Sequence, residues 1–314
     1  MNLQEVIEIY GLTNLPECEA EFTAIPLDFI EDIQNKYNVF DSKRYAYLTD
    51  MAQKITKDSA AYSAFCLLSH LLSIRKEGER IKMTVTPSDP LLQTAAFFSI
   101  LYYLPRAAEF LKSRDIDGEI VMNSTLVPFI NSIKETDNGW FFDVTRLYSW
   151  SQLYMDAKLL RVGVLNFELR DRVKEDCGGR LSPDDAVINV HIPTGVRLTP
   201  ENCEYAYGEC ARIVKKTFPD FKYKAFVCFS WMMDKQLKNM LGPDSNILRF
   251  QSRFTTFFRD KPTDGVLTFV FGYPAGVKPD YSELAEDTSL RRAIKAHLLA
   301  GGSIYADGGI FFDY

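Results

Sequence analysis

The sequence lacks several patterns that would assign a protein to a class at once. Its six cysteines form no CxxC pair, and with its three histidines they show no zinc-site spacing, so we expect free thiols and no metal centre. Positive charge is not in excess either, since 36 Lys and Arg stand against 42 Asp and Glu. The resulting net charge of −6 argues against nucleic acid or a membrane surface as a partner.

Long hydrophobic runs are also missing. The most apolar stretch, residues 91–105, is too short to span a bilayer and is interrupted by Gln93 and Thr94. The first residues, MNLQEVIEIYG, show no secretory signal. We therefore expect a cytoplasmic protein, and its 314 residues are enough for about two domains.

The spacing of apolar residues differs between the two halves of the chain. In the first part, apolar residues recur at three- and four-residue spacing, which predicts helices. After the turn signal TDNGW (136–140), the period shortens to that of strands. The sequence thus predicts an α+β protein, with about five to seven helices in a domain over 1–145 and a sheet domain over 146–314. The predicted helical segments of the first domain are 27–39, 44–76 and 91–114.

Five segments of the second half have the composition of strands. A polar, Gly-containing connection between the first two suits a hairpin. A helix separates the second from the third, so we expect these two strands to be parallel. The predicted strands are 158–170, 186–193, 224–231, 246–258 and 265–273, with later helices at 233–241 and 282–301.

The crossover helix has a clear start signal. Thr199 can cap it, Pro200 suits the first helical position, and Glu201 complements the positive end of the helix dipole. In a sheet with such a crossover, ligands bind outside the carboxyl ends of the parallel strands. This rule predicts a crevice at residues 191–197 and 229–234.

The turn before this helix is a candidate anion site. Thr194 and Gly195 allow the backbone to come close to a ligand, Arg197 adds a positive charge, and the helix N-terminus presents N–H groups. Capping alone explains Thr199 and Pro200 equally well, so both interpretations stay open.

Four motifs of the second half are HIPTGVRLTPE (191–201), FPDF (218–221), CFSWMMDKQLKNML (228–241) and SNILRFQSRF (245–254). They resemble the GNAT-like C-terminal domain of a family of bacterial acyltransferases. Gly139 and Trp140, with LLRVGVLNFEL (159–169), resemble the junction with that family's helical N-acyltransferase N-terminal domain. The resemblance implies a GNAT-like mixed, mostly antiparallel sheet with flanking helices, and acyl-CoA, acetyl-CoA or longer, as co-substrate.

In the wider superfamily, two parallel strands splay apart, pantetheine pairs with the edge of the first, and the following helix N-terminus takes the pyrophosphate. The resemblance implies that 186–193 is that first strand. The superfamily's usual pair of spaced glycines does not follow Arg197. The acyl-CoA contacts that the resemblance implies are Val190, Ile192, Thr194, Gly195, Val196, Arg197 and Thr199.

Three side chains are candidates for the chemistry of acyl transfer. His191 is suited to general base catalysis at a strand end, although its ring can equally hold a loop in place. Cys228 and Ser230 alternate along one strand and emerge on one face. If that face lines the splay, Cys228 can be a nucleophile with His191 as its base; a packed small side chain is the alternative.

The leading hypothesis is an acyl-CoA-dependent N-acyltransferase that acts by direct transfer to an amine of a small molecule or a peptide. The rival is a non-catalytic ligand-binding or interaction protein that retains the GNAT-like fold. The missing glycines and the lack of a clear acid/base pair favour the rival. A third hypothesis is an acyl-enzyme on Cys228.

Overall fold

The computed structural model describes residues 1–17, 23–136, 139–173, 175, 177–257, 262–273 and 276–314. The chain divides into two compact units, Met1–Leu159 and Leu160–Tyr314. Within the described ranges, no helix is long and apolar enough to cross a membrane.

The first unit is helical, with two short antiparallel strand pairs, β1–β2 and β3–β4. Its described residues form nine helices, more than the number expected. One reason is Asp58, which accepts a hydrogen bond from Ala61 N at 2.8 Å and so begins a new helix inside the predicted segment 44–76. The helices are α1 (Leu3–Tyr10), α2 (Phe29–Tyr37), α3 (Ser42–Lys57), α4 (Ser59–Ile74), α5 (Pro90–Leu101), α6 (Leu104–Ser113), α7 (Gly118–Asn123), α8 (Leu126–Ile130) and α9 (Val144–Met155), and the strands are β1 (Leu12–Thr13), β2 (Lys82–Met83), β3 (Lys134–Thr136) and β4 (Gly139–Phe141).

Helix α9 lies with the helical core rather than with the sheet. Its Gln152 is buried and bonds Ile81 twice, through Ile81 N at 3.0 Å and Ile81 O at 2.8 Å. Its Asp156 accepts from Arg75 Nη1 at 3.0 Å. The compact units therefore divide after α9, whereas the predicted domains, 1–145 and 146–314, divide at its start.

The second unit is built on a six-stranded sheet of order β5-β6-β7-β8-β10-β9. The pair β7–β8 is parallel, and the pairs β6–β7, β8–β10 and β10–β9 are antiparallel. The predicted hairpin, crossover and α+β fold class are confirmed. The strands are β5 (Leu159–Val162), β6 (Leu165–Arg170), β7 (Val187–His191), β8 (Ala225–Ser230), β9 (Thr255–Phe257) and β10 (Asp307–Phe311), and the helices are α10 (Pro200–Thr217), α11 (Leu237–Met240), α12 (Asn246–Ser252), α13 (Gly265–Phe269) and α14 (Ser289–Leu299).

Two predicted strands are wrong. Most of 246–258 is α12, because Ser245 Oγ accepts from Ile247 N at 3.3 Å and caps a helix. Phe250 and Phe254, four residues apart, are both buried, with ring centroids 5.2 Å apart. The segment 265–273 begins as α13 instead of a strand. The predicted strand 158–170 is two strands, separated by a turn in which Gly163 has a φ of 53°.

Strand β10 contains two adjacent glycines, Gly308 and Gly309, a pair that is typical of a turn. In the structure, the two glycines allow close packing on both sides of the sheet. A Cβ on Gly308 would lie 2.2 Å from the Phe257 ring, and one on Gly309 would lie 2.4 Å from Met233 Cε. The glycines therefore admit β10 between β8 and β9.

Alternation along the strands gives the sheet two different faces. On the α10 face, the Tyr207 ring packs against those of Phe167, Phe226 and Phe311, at centroid distances of 6.1, 5.9 and 5.0 Å. The other face packs against Val173 and Cys177 of the β6–β7 connection and is called the connection face. Its apolar core includes Val173, Cys177, Val187 and Val227.

Candidate functional site

Strands β7 and β8 separate before either one ends. Their last register pair is Asn189–Val227, although β7 continues to His191 and β8 to Ser230. Among the described residues, no further pair joins the two strands. Their outer edges remain paired, Val190 and His191 with β6 and Cys228 to Ser230 with β10. The gap between the two strands, here called the wedge, lies at their carboxyl ends, where the sequence predicts the crevice. Backbone N–H and C=O groups on the edges that face the wedge have no partner strand and need other hydrogen-bond partners.

His191 lies at the end of β7, on the connection face. Its Nε2 is 2.8 Å from Oε2 of Glu168, a residue of β6 that is 1% exposed. Glu168 is the register partner of Asn189, two residues before His191, so the hairpin pairing places the carboxylate beside the ring. The side chain of His191 is 26% exposed, so the ring is held by a buried acid and still reaches the surface.

Three donors converge on Glu168 Oε2. Besides the imidazole, Asn189 Nδ2 lies at 3.1 Å and Arg170 Nε at 2.9 Å. Such an arrangement stabilises a charged carboxylate, which can only accept. The carboxylate favours the tautomer with the proton on His191 Nε2, which also lies 3.0 Å from Asn189 Nδ2, and in that neutral tautomer the lone pair is on Nδ1. The site therefore contains a carboxylate–histidine pair that the sequence did not reveal.

Sequence reasoning did not identify Glu168 as a site residue, because its place beside His191 depends on the pairing register of β6 and β7. The alternation of Asn166, Glu168 and Arg170 along β6 does indicate one polar face, and a charge between Phe167 and Leu169 is unusual in a buried strand. However, the connection to β7 is long, and strand spacing alone does not say which residue lies opposite Glu168.

Asn189 adds an unusual feature to the site. The residue is 2% exposed, and of the described buried atoms its Oδ1 is one without a hydrogen-bond partner. The orientation of the amide is set by Glu168, because the reverse orientation would place Oδ1 against the carboxylate oxygen. A buried acceptor therefore remains unsatisfied beside the histidine.

Cys228 and His191 point to opposite faces of the sheet, so the condition for a Cys228 nucleophile with His191 as its base is not met. Val227 shares the connection face with Asn189, and its neighbour Cys228 points to the α10 face. The thiol is fully buried, and burial raises its pKa to about 12. Ser230 also points to the α10 face, and its Oγ accepts from Met232 N at 3.1 Å. Cys228 is a packed side chain on that face.

The turn between β7 and α10 has the predicted local structure. Thr199 Oγ1 accepts from Asn202 N at 3.3 Å, and α10 begins at Pro200, so both predictions are confirmed. Gly195 has a φ of 80°, a conformation that favours glycine. Among the predicted acyl-CoA contacts, Val190 is buried, Ile192, Val196 and Thr199 are half-buried, and Thr194, Gly195 and Arg197 are exposed.

Residues 159–311 match the family described as the GNAT-like C-terminal domain. The second unit is thus similar to that domain over nearly its whole length. Solved structures extend the likeness of fold to the whole chain. A mutant acyltransferase in complex with octanoyl-CoA is 20% identical, with 99% of each chain covered and a TM-score of 0.76.

Two further structures agree in fold at the same identity and coverage. An acyltransferase in complex with decanoyl-CoA has a TM-score of 0.75, and one in complex with decanoyl-CoA and teicoplanin has a TM-score of 0.73. No protein of curated function matches the sequence significantly.

In the second unit, a carboxylate already lies at the N-terminus of α10. The pKa of Glu201 is lowered, first by its own backbone N–H and then by the Thr199 hydroxyl. Any anion that approaches the first turn of α10 would therefore meet an exposed acid. In the described ranges of the chain, no three His, Cys, Asp or Glu side chains converge as metal ligands.

Proposed function

We propose that the protein is an acyl-CoA-dependent N-acyltransferase that acts by direct transfer to an amine. The observation that carries this proposal is the wedge between β7 and β8, with the His191–Glu168 pair at its edge. In a GNAT-like domain, such a wedge accommodates pantetheine, and a buried acid beside a histidine supplies the proton acceptor that amine acylation needs.

The proposed donor site follows the β7 edge and the turn after it. Val190 and Ile192 offer backbone groups to pantetheine, and residues 194–199 offer N–H groups and the Arg197 charge to the pyrophosphate. Structures of the same fold contain octanoyl-CoA and decanoyl-CoA, which supports a donor with an acyl chain of this kind.

The proposed chemistry uses His191 as general base. Its Nδ1 takes a proton from the amine as the nitrogen attacks the thioester carbonyl carbon. The new C–N bond forms, the C–S bond breaks, and the CoA thiolate takes up a proton as it leaves. Glu168, 2.8 Å from Nε2, stabilises the imidazolium that forms in between.

The proposed acceptor is a small molecule or a peptide that carries an amine. One structure of this fold contains teicoplanin together with decanoyl-CoA, which supports an acceptor larger than a simple amine.

Two observations favour a second candidate, a non-catalytic ligand-binding protein. Glu201 places a negative charge where a GNAT-like domain takes the pyrophosphate, and no glycines follow Arg197. Weak binding of CoA would be the expected consequence of both features.

Thermal unfolding with acetyl-CoA, octanoyl-CoA and decanoyl-CoA tests the donor site, because a ligand at 100 times its Kd stabilises the folded state by about 2.7 kcal/mol. Thiol release with a panel of amines, teicoplanin among them, then measures transfer. His191→Ala should lose about 10²-fold or more in kcat. His297→Ala, which removes a histidine of α14, is the matched control and should keep the parent rate.

Binding without thiol release from any amine would favour the second candidate. If none of the three thioesters raises the unfolding temperature, the result would argue against a CoA-binding site and so against both candidates.

A further inference from the structure

The first unit contains an open cavity of about 280 Å³ between the first turn of α3 and the β3–β4 pair. This volume is close to the lower limit of small-molecule sites, which is about 300 Å³. The cavity therefore suits a ligand that consists of a single substituted ring. Its described lining residues are Asp41, Ser42, Lys43, Arg44, Glu135 and Trp140.

An indole ring forms the apolar wall of this cavity. Trp140 is the register partner of Glu135, so the two side chains lie on the same face of the β3–β4 pair. The half-buried indole stacks on Tyr47 of α3, with ring centroids 5.2 Å apart and planes inclined by 22°. This contact holds the indole in place, and a fixed aromatic wall suits the stacking of a ligand ring.

The charged groups that line the cavity are paired with one another. Lys43 Nζ lies 2.7 Å from Glu135 Oε2. Arg44 forms an ion pair with Asp41, and it donates to Ile133 O from Nε at 3.2 Å and from Nη2 at 3.0 Å. Two cations thus stand against two carboxylates, and a charged ligand would compete with one of these contacts. The lining therefore favours a neutral ligand.

A hydroxyl is the neutral group that matches such a lining, because it both donates and accepts hydrogen bonds. The Lys43 ammonium and the Glu135 carboxylate each retain hydrogen-bonding capacity beyond their mutual contact, and Ser42 adds a hydroxyl. The C–H groups of a saccharide ring are apolar and can pack on an indole face. We propose that the cavity binds a neutral saccharide ring, which stacks on Trp140 and forms hydrogen bonds with Lys43 and Glu135.

The proposed saccharide site uses none of the residues of the proposed acyl transfer, and its test needs no CoA. Fluorine NMR of the full chain labelled with fluorotryptophan follows each of its three tryptophans, and Trp140→Phe assigns the signal of Trp140. The probes are methyl glucoside, methyl galactoside and methyl mannoside. At least one should shift the Trp140 signal saturably, with a Kd on the order of millimolar for so small a ligand. The signals of Trp150 and Trp231 should stay in place.

Variants of the cavity separate a stacked sugar from general contact with the surface, with saturation-transfer NMR of the sugar as the measurement. Trp140→Ala should weaken binding by about tenfold, and Trp140→Phe, which keeps a ring, should weaken it less. Lys43→Met removes the ammonium, keeps an apolar stem and should weaken binding by about fivefold. Lys54→Met is the matched control, because Lys54 lies on the same helix in an exposed pair with Asp50 at 2.7 Å, and it should leave the Kd unchanged.

If no probe shifts the Trp140 signal, or if Lys54→Met weakens binding as much as Lys43→Met does, the proposal is overturned. Glucuronate, the charged counterpart of the glucose probe, should bind more weakly, and tighter binding of glucuronate would overturn the assignment to a neutral ligand. Binding of phenol without binding of the sugars would assign the cavity to aromatic molecules and overturn the proposal as well. Because no CoA is present in these experiments, failure of the saccharide site and failure of the proposed acyl transfer are distinct results.

Discussion

The two faces of the sheet in the second unit use the same strands for different purposes. On the α10 face, Tyr207, Phe226 and Phe311 interlock, with the last two rings stacked 4.9 Å apart. On the connection face, β6 and β7 place Glu168 and Asn189 in a buried polar cluster. Alternation makes this division possible, since a change on one face leaves the other face's side chains in place.

The comparison shows where stability and chemistry lie. Aromatic burial on the α10 face contributes favourable free energy without any hydrogen-bond requirement. Burial of Glu168 is favourable only while its donors are present, and Asn189 Oδ1 remains unsatisfied. The polar face therefore costs stability, which is consistent with a functional site.

The largest effect should come from breaking the α10 face. Phe226→Ala removes a ring that is 1% exposed and should lower the free energy of unfolding by about 3–5 kcal/mol. Urea denaturation measures the loss. Phe312→Ala is the matched control, since that ring is 54% exposed, and should change stability by less than about 0.5 kcal/mol. Similar losses in both variants would contradict the division into faces.

A smaller loss should follow when the polar cluster is broken. Glu168→Gln replaces a carboxylate that accepts from three donors by an amide that keeps the shape, and should cost about 1.5–3 kcal/mol in the same denaturation experiment. Glu168→Gln should also lower the rate of acyl transfer per folded molecule. Phe226→Ala should leave that rate unchanged. Equal loss of rate in both variants would remove the distinction between the faces.

Cys228→Ala sharpens the comparison, because the thiol lies on the α10 face. We expect a loss of about 1 kcal/mol from the smaller volume, no loss of acyl transfer, and no acyl adduct on the parent thiol by mass spectrometry. Burial raises the pKa of Cys228 from 9.0 to about 12. Above pH 9.0 the unfolded chain gives up this proton while the folded chain keeps it, so part of the parent's stability is lost toward pH 12.

The variant should lack this contribution, and its stability should fall less steeply over the same pH range. An acyl adduct on Cys228, or identical pH profiles of parent and variant, would contradict the assignment of this thiol to the packed face.

The smallest effect concerns the turn at the N-terminus of α10. Glu201→Gln removes an exposed negative charge and should tighten CoA binding by a factor of about two to five. Calorimetric titration with CoA measures the affinity at low and high salt. Glu209→Gln, further along the same helix, should have no such effect. Unchanged affinity in Glu201→Gln would place the pyrophosphate elsewhere.

Much of the site's frame could be predicted from the sequence. The cap at Thr199, the proline at the first helical position and the parallel crossover all depend on residues that are neighbours in the chain. The resemblance to the GNAT-like C-terminal domain was carried by motifs within this same region, and it is confirmed. The proposed acyl-CoA contacts stay predictions.

Segments with two compatible periods were predicted less well. In 246–258, Arg249, Gln251 and Arg253 alternate as in a strand, while Phe250 and Phe254 have helical spacing. The aromatic packing of Phe254 with Phe311, at 5.0 Å, settles the choice in favour of the helix. That contact joins residues distant in sequence, so no local pattern could reveal it.

The sequence by itself determined where α10 and the central strands β7 and β8 begin, because caps, turns and the strand period act over a few residues. Only the tertiary structure decided that Glu168, 23 residues before His191, meets its ring, and that Cys228 lies on the opposite face. Both outcomes depend on register, which is set by the pairing of whole strands and by the packing of their two faces.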